Sequence, residues 1–531
     1  MPSQGHLNFG WIDGLFIVAY MLMLIGFGVY HSRRQKTIRE YFLAGKHMSW
    51  IPIGLSLMAA LNSGIDYLAQ PSALIKFGII VLTGNLTWLV LYPYAFYISM
   101  PLFRRLDVYS AYEYLERRFH VAVRCLAAVI FIFWRLGWMA TALYVPCLAI
   151  TTATGHPEQL KLLICVMGLV ATVYTMLGGV KAVIWTEVIQ FVVMFGGLFI
   201  TMLVIIFKVN ATPSEIWTVI TTAGDPVEHL PVITASGFLG SLAAFFTTPI
   251  TFWGLIIAGL VGRLTGYTSD QVMVQRFQTA KSIRATRQGF VITAISDIVW
   301  MTVLTFVGIV LVVYFKAEMA KGVVLPDWVK GNTDYRFPYF MSLVFPPGLT
   351  GPVIAAIVAA SLSAIASAIN SQSTVIVVDF YNRIVKKRLR PPENLSSEEQ
   401  RVQLLISRCA SIGVGIVATI IAMNLYRLGI IVEIGNRVIQ TFTGPLLGIF
   451  WLGMFSRRAN SAGVFIGGFV GAAVAIFTAF WLKGIVSWMW PCVFGLAFTL
   501  IIGYLASYLF PASEKGQQWN WFTITKQPLE E

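Results

Sequence analysis

Charged residues are scarce in this sequence. Asp, Glu, Lys and Arg make up 12% of its 531 residues, against about 25% in a typical soluble domain. Hydrophobic residues account for 57% of the chain, and the mean hydropathy is +0.75. A chain this apolar would not stay soluble outside lipid. The composition therefore predicts a multi-pass protein of the cell membrane, in a bacterium the inner membrane.

Cysteine and histidine are also rare. The five cysteines lie in or beside apolar runs and form no C-x-x-C pair, so neither a zinc site nor a disulfide framework is indicated. The six histidines are scattered over loops and helix ends. The sequence has no Ser/His/Asp set and no glycine loop of the kind that cradles phosphate. These absences argue against a membrane enzyme.

The charges that are present are mostly positive, with a formal net charge of +14. The basic residues cluster in short loops between apolar runs, which indicates membrane topology and not a nucleic-acid partner. One set of alternate loops holds 27 of the 38 Lys and Arg residues, and the opposite set holds nine. Because cytoplasmic loops carry the excess, this split predicts the N-terminus outside and the C-terminus inside.

Long apolar runs follow one another along the whole chain. A membrane-spanning helix needs about 20 mostly apolar residues. The first run starts at Trp11 with no basic region before it, so we expect a first helix and not a cleaved signal peptide. The thirteen predicted helices cover residues 11–30, 51–76, 78–103, 121–152, 158–178, 182–208, 236–264, 286–315, 348–380, 402–426, 429–456, 460–482 and 485–510.

The second predicted helix contains a polar interruption. Asn62, Ser63, Gly64 and Asp66 lie within five residues, and Pro71 follows. A carrier needs backbone groups that are freed from the helix and line a cavity halfway through the membrane. Asp66 favours this interpretation, because an acid at that depth costs several kcal/mol unless it has a partner or a cavity. A proline-kinked structural helix is the alternative.

The ninth predicted helix is dense in small residues between Ala359 and Ser371. Such residues let helices approach closely, so packing alone could explain them. Ser363 and Ser367 are four apart and share a face. Their hydroxyls, together with freed carbonyl groups, would suit a hard cation such as sodium, which prefers several oxygen ligands.

Six motifs along the chain resemble those of the sodium/solute symporter family and follow one another in the same order as in that family. Its members take up sugars, proline, sialic acid, vitamins or inorganic anions. The resemblance covers nearly the whole chain. It implies an all-α polytopic membrane protein with a LeuT-like core of five plus five helices in an inverted repeat, and about thirteen transmembrane helices. The motifs are residues 40–45, 110–119, 177–190, 270–276, 370–381 and 444–455.

The resemblance also implies a division of the chain. The helices 51–76 and 236–264 are expected to be broken, and 348–380 is expected to bind the cation. The expected parts are an extracellular N-terminus with an extra first helix and a cytoplasmic loop (1–50), a first repeat (51–208), an extracellular loop (209–235), a second repeat (236–456), two peripheral helices (457–510) and a cytoplasmic tail (511–531).

For sodium, the resemblance implies a site made by carbonyl groups of Ala59, Asn62 and Ala360 and by side chains at positions 363 and 364. Ser363 fits the family pattern, whereas Ala364 stands where the family has Ser or Thr and has no side-chain oxygen. Water or the Asn62 side chain could replace the missing ligand, or the sodium affinity is low. Glu187 and Ser367 lie where some members have a second cation site, but Glu187 stands in place of the family's Asp, and Ala366 removes a hydroxyl from this site. We expect Glu187 to act as a gating or structural acid instead.

For the solute, the matching positions carry several charges. An ion-pair network that holds the helices together is the alternative for the charged members. Acids together with arginines suit a zwitterion such as an amino acid, slightly ahead of a sugar or sugar acid. The candidate residues are Asp66, Tyr67, Asn85, Arg135, Trp138, Arg263, Asp297 and Arg437.

The sequence therefore predicts a secondary active symporter that imports a small polar organic solute by alternating access, coupled to sodium. A proton-coupled or uncoupled carrier, or a transporter-like solute sensor, stays open because of Ala364. The expected partners are the solute, the sodium ion and the lipid bilayer, with no obligate protein partner evident.

Overall fold

The described part of the chain is helical, as lipid demands of segments that must pair their own backbone groups. The computed structural model describes residues 9–32, 47–106, 108–223, 237–388, 397–425, 431–511 and 516–526, and these ranges contain two isolated β-bridges but no strand. The motif at 40–45, residues 224–235 of the predicted loop 209–235, and residues 512–515 and 527–531 of the predicted tail 511–531 lie outside the described residues.

Twenty-one α-helices follow one another within these ranges. They are α1 Trp11–Ser32, α2 Trp50–Leu61, α3 Gly64–Phe77, α4 Trp88–Tyr94, α5 Met100–Leu106, α6 Glu113–Arg118, α7 Val121–Thr154, α8 Leu160–Lys208, α9 Pro213–Thr222, α10 Gly237–Thr247, α11 Phe252–Ser269, α12 Gln271–Thr279, α13 Ile283–Ala320, α14 Asp327–Gly331, α15 Arg336–Val344, α16 Thr350–Val375, α17 Ser397–Ala422, α18 Ile431–Phe455, α19 Ser461–Phe480, α20 Pro491–Ala506 and α21 Trp521–Ile524. A 3₁₀ segment (Gly78–Thr87) precedes α4, and π-helical segments follow α4 (Ala95–Ser99) and α16 (Ile376–Val385).

The predicted all-α membrane architecture is confirmed. Each of the thirteen predicted segments overlaps helices of the structure. Ten helical segments in the described residues are long and apolar enough to cross a membrane. Helix α8 is interrupted by the non-helical backbone of Gly179 (φ 54°, ψ −176°), which divides it into two apolar segments, Pro157–Leu177 and Gly179–Lys208, close to the predicted helices 158–178 and 182–208. The number of membrane spans and the orientation of the termini stay predictions.

Helix α16 lies at the centre of the bundle. Every one of its residues except Pro352 is buried, and it packs against α8, α7 and α1. A helix enclosed on all sides has to be apolar or small all round, which explains the run of alanines and serines in this segment. Neighbouring helices therefore hold α16 in place on all of its sides.

The first helix is tied to the start of α16 by one acid. The carboxylate of Asp13 is fully buried. It accepts hydrogen bonds from the backbone N–H groups of Gly10 at 2.9 Å, Gly348 at 3.3 Å and Gly351 at 2.6 Å. A side chain at Gly351 would collide with the Asp13 backbone. Asp13 thus satisfies N–H groups that begin α16, where the helix dipole also favours a negative charge.

We predict that Asp13→Ala destabilises the protein by about 2–3 kcal/mol, because it leaves buried N–H groups without an acceptor. The measurement is thermal unfolding of the purified protein in detergent. Asp327→Ala serves as the control, since the Asp327 side chain is fully exposed. Equal unfolding midpoints for the two variants would contradict the role given to Asp13.

Candidate functional site

The predicted interruption after α2 is present in the structure. Asn62 and Ser63 have extended backbone conformations between α2 and α3. The hydroxyl of Ser63 accepts a hydrogen bond from the N–H of Ile65 at 3.2 Å, and the carboxylate of Asp66 accepts one from the N–H of Ser63 at 2.7 Å. This reciprocal capping box satisfies N–H groups that the break sets free. The sequence Ser-x-x-Asp is thus a helix start signal inside an apolar run.

The second break, implied only by the family resemblance, is also present. Helix α10 ends at Thr247 and α11 begins at Phe252. The hydroxyl of Thr251 accepts a hydrogen bond from the N–H of Gly254 at 3.0 Å and so caps α11. Both expected interruptions are therefore real features of the backbone.

Three of the residues expected at the sodium site lie in direct contact. The Ser363 hydroxyl is 2.8 Å from the carbonyl oxygen of Ala59 and 2.8 Å from that of Ala360. Asn62 ends α2, and its side-chain nitrogen donates to Asp297 at 2.8 Å. Ala364 is buried and adds only a methyl group. Oxygens from α2 and α16 therefore meet beside the break.

A further oxygen lies close by. The Ser361 hydroxyl is buried and has no hydrogen-bond partner among the described residues. A side chain at Gly64 would overlap this hydroxyl, so Ser361 lies against the first residue of α3. Ser361 and Ala364 are three apart and share a face of α16. Nothing in the sequence singles out Ser361, because the whole segment is rich in serine.

Asp297 on α13 connects four parts of the fold. One carboxylate oxygen accepts from Asn62 at the break. The other accepts from the Trp88 indole at 2.7 Å and from Arg263 on α11 at 2.8 Å. The Arg263 guanidinium also lies 5.1 Å from the centre of the Trp88 ring. The acid is buried and fully paired, as a charge at this depth has to be.

A cavity of about 300 Å³ opens on α3, just after the break. Four of the predicted solute residues line it, namely Asp66, Asn85, Trp138 and Arg263. Several other polar and aromatic residues line the cavity and were not predicted from the sequence. These are Ser63, Gln70, Asn436, Gln440 and Trp488.

Gln70 could have been found from its spacing, since it follows Asp66 by one turn on α3. Asn436 and Gln440 are likewise one turn apart, on α18. Their neighbour Arg437 drew attention because of its charge. The Arg437 guanidinium instead donates to the carbonyl of Ala479 in α19 at 2.9 Å, and Arg437 does not line the cavity.

Tyr67 and Arg135 also lie outside the cavity lining. The Tyr67 hydroxyl donates to the carbonyl of Met194 at 2.6 Å, and its ring packs edge-on against Trp300. Arg135 is buried in an ion pair with Asp270, and its guanidinium lies 4.1 Å from the centre of the Trp138 ring. Arg135 can therefore act on the cavity only through the orientation of Trp138.

Glu187 and Ser367 are brought together, but around an arginine. The Glu187 carboxylate is fully buried and pairs with the Arg276 guanidinium at 2.6 Å. The hydroxyls of Ser56 and Ser367 bond to both of these side chains. The group links α2, α8, α12 and α16. The positively charged guanidinium group of Arg276 thus occupies the place where the family resemblance indicated a second cation site.

The sequence model of the sodium:solute symporter family matches residues 41–471. The chain belongs to this family. The symporter is 30% identical to the sodium/sialic acid symporter SiaT of Proteus mirabilis, over 89% of this chain and 90% of that protein. It is 28% identical to the sodium/sialic acid symporter NanT of Aliivibrio fischeri, over 98% and 97% of the two chains. The sodium-dependent multivitamin transporter of Oryctolagus cuniculus is 30% identical, over 90% of this chain and 70% of its own.

Solved structures agree with this assignment. A Na⁺-coupled sialic acid symporter in a substrate-bound outward-open state matches with a TM-score of 0.79 and 28% identity, over 95% of the symporter and 99% of that chain. Inward-facing Mhp1 matches with a TM-score of 0.54 at 13% identity, over 89% and 94%, which concerns the fold alone. The symporter is thus a sodium-coupled, multi-pass membrane transporter and not an enzyme.

We predict that Arg276→Gln destabilises the symporter by about 3–5 kcal/mol, because the Glu187 carboxylate stays buried without its cation. Glu187→Gln combined with Arg276→Gln should restore part of this loss, since no charge is then left unpaired. Thermal unfolding in detergent measures both variants. Arg388→Gln is the control, because its ion pair with Glu399 is exposed. A double variant no more stable than the single one would refute this reading.

Proposed function

We propose that the symporter binds its solute in the cavity beside α3 and its sodium ion between α2 and α16, on the two sides of one broken helix. The observation that supports this most is the position of the break. Ala59, just before it, contacts Ser363 of α16, while Asp66, just after it, lines the cavity. An ion and a solute bound there would both act on the same short backbone segment.

The oxygens beside the break support the sodium site. The hydroxyl of Ser363 lies within hydrogen-bond distance of the carbonyl oxygens of both Ala59 and Ala360. The carbonyl of Asn62 follows at the end of α2. A hard cation needs more oxygens than these four. Ser361 or a water molecule is the proposed source, because Ala364 offers none.

The cavity wall supports a small polar organic solute. It combines an acid, an arginine and amide groups with two tryptophans, Trp138 and Trp488. Few, convergent polar groups in a partly apolar cavity are typical of small-molecule sites. A zwitterion could use both charges. A sugar acid, as in the relatives named for sialic acid, could use Arg263 for its carboxylate and the amides for its hydroxyls.

Two contacts of different strength flank the break and support alternating access. Before the break, Ser56 belongs to the buried group around Arg276 and Glu187. After it, Lys76 of α3 pairs with Glu433 of α18 at 3.0 Å, and both side chains are partly exposed. A solvated ion pair contributes little, about 0–1 kcal/mol. The Lys76 side is therefore the one that opens at lower cost from this conformation.

We predict that Ser363→Ala weakens sodium binding roughly 10–100-fold, because a ligand to a charged group contributes about 1.5–3 kcal/mol. Sodium-dependent thermal stabilisation and sodium-driven uptake into proteoliposomes are the two measurements. Ser371→Ala is the matched control, since its hydroxyl bonds to Ala368 of its own helix. Uptake by the wild type that ignores sodium, proton gradient and voltage would instead identify an uncoupled carrier.

We predict that Ala364→Ser strengthens sodium binding several-fold, because it restores a hydroxyl to the face of α16 that meets the break. One additional neutral ligand corresponds to about 1 kcal/mol. The sodium concentration that gives half-maximal stabilisation measures the effect. An unchanged value would show that position 364 does not face the bound ion.

A further inference from the structure

The acidic and basic side chains around the cavity form ion pairs with one another, except for one acid. Three buried or cavity-lining arginines are each paired with an acid, and each pair is neutral as a whole. The pairs are Arg263 with Asp297, Arg135 with Asp270, and Arg276 with Glu187. Asp66 has no lysine or arginine within ion-pair distance in the described part of the chain. Asp66 is therefore the acid of this group that has no basic side chain as its partner.

Asp66 uses only part of its capacity as an acceptor. Its Oδ2 accepts from the N–H of Ser63. No side chain of the described residues donates a hydrogen bond to this carboxylate, and the Asp66 side chain lines the cavity. A carboxylate in a membrane protein is stable only with a counter-charge, a proton or water beside it. The occupant of the cavity is the one partner that the fold leaves open for Asp66.

A second polar side chain lines the same cavity. The Gln440 side chain is only 6% exposed, and its Oε1 has no hydrogen-bond partner among the described residues. Gln440 lines the cavity from α18 while Asp66 lines it from α3. An ammonium group has three donors and no acceptor. It would donate to the Asp66 carboxylate and compensate its charge, whereas a carboxylate or a neutral hydroxyl would leave that charge uncompensated.

We propose that the solute carries a protonated amine and that Asp66 binds this ammonium group. The inference rests on the proposed function, because it concerns the occupant of the same cavity. Arg263 and the amide of Asn85 remain for a carboxylate or hydroxyl elsewhere on the solute. A zwitterionic amine or amino sugar would use all of these groups, whereas an amine-free sugar acid would leave Asp66 without a partner.

The test uses pairs of compounds that differ in the amine. These are L-serine with L-glycerate, D-glucosamine with D-glucose, and taurine with isethionate. Each is added to the full-length protein in sodium-containing buffer near pH 7, and thermal stabilisation and uptake into proteoliposomes are measured. We expect the amine-bearing member of at least one pair to stabilise the protein and to be taken up, and its amine-free partner to do neither.

Asp66→Asn is expected to weaken amine binding at least tenfold while sodium still stabilises the variant. Asparagine keeps an acceptor for the Ser63 N–H, so the break and the fold should persist. Asp66→Glu should retain part of the response, and the exposed Asp327→Asn should retain all of it. The sodium response shows in every case that the variant is folded.

Equal responses within the pairs, including no response to any of the six compounds, would overturn the proposal. So would proton-coupled uptake of an amine-free solute that Asp66→Asn abolishes, because Asp66 would then bind a proton. If the proposed function itself were wrong, the same measurements would give a different result. In that case sodium would neither stabilise the wild type nor drive uptake of any solute.

Discussion

A helix that stops halfway through a membrane has to supply its own hydrogen-bond partners, and the rest of this structure depends on how the break at Asn62 and Ser63 does so. Lipid offers neither donors nor acceptors to the backbone groups that are set free. On the α3 side, Ser63 and Asp66 cap the N–H groups. On the α2 side, Ser363 bonds to the carbonyl of Ala59. The proposed ion and solute sites are the places where this pairing is incomplete.

Buried ion pairs fix the elements around the break. Asp297 joins α13 to α11, to the break and to Trp88, and Arg276 joins α12 to α8. Such pairs are weak evidence for stability, because desolvation of two charges offsets much of their attraction. Their effect is positional, since each guanidinium has a fixed geometry and needs its acid at one place. At Glu187 this has a second consequence, because Arg276 supplies there the charge that a free cation would otherwise bring.

The sequence could predict the helices and the break, because both follow from local rules. Apolar runs determine the helices, and Ser63 with Asp66 is a capping signal within three residues. Helix rotation was much harder to predict. Arg437 and Gln440 are within one turn of each other on α18, yet only Gln440 lines the cavity. In a helix that neighbours surround, polarity alone does not tell which face a residue occupies, and Tyr67 and Arg135 were misplaced for the same reason.

The two oxygens of the Asp66 carboxylate would couple solute binding to sodium binding. One carboxylate oxygen holds the N–H of Ser63, and the proposed ammonium binds the other. A bound ammonium keeps Asp66 ionised, and an ionised carboxylate is the stronger acceptor for the Ser63 N–H. A firmer cap fixes the peptide that joins Ser63 to Asn62, whose carbonyl belongs to the proposed sodium site. Sodium binding would then be tighter with solute present, and because such coupling is reciprocal, solute binding would be tighter with sodium present.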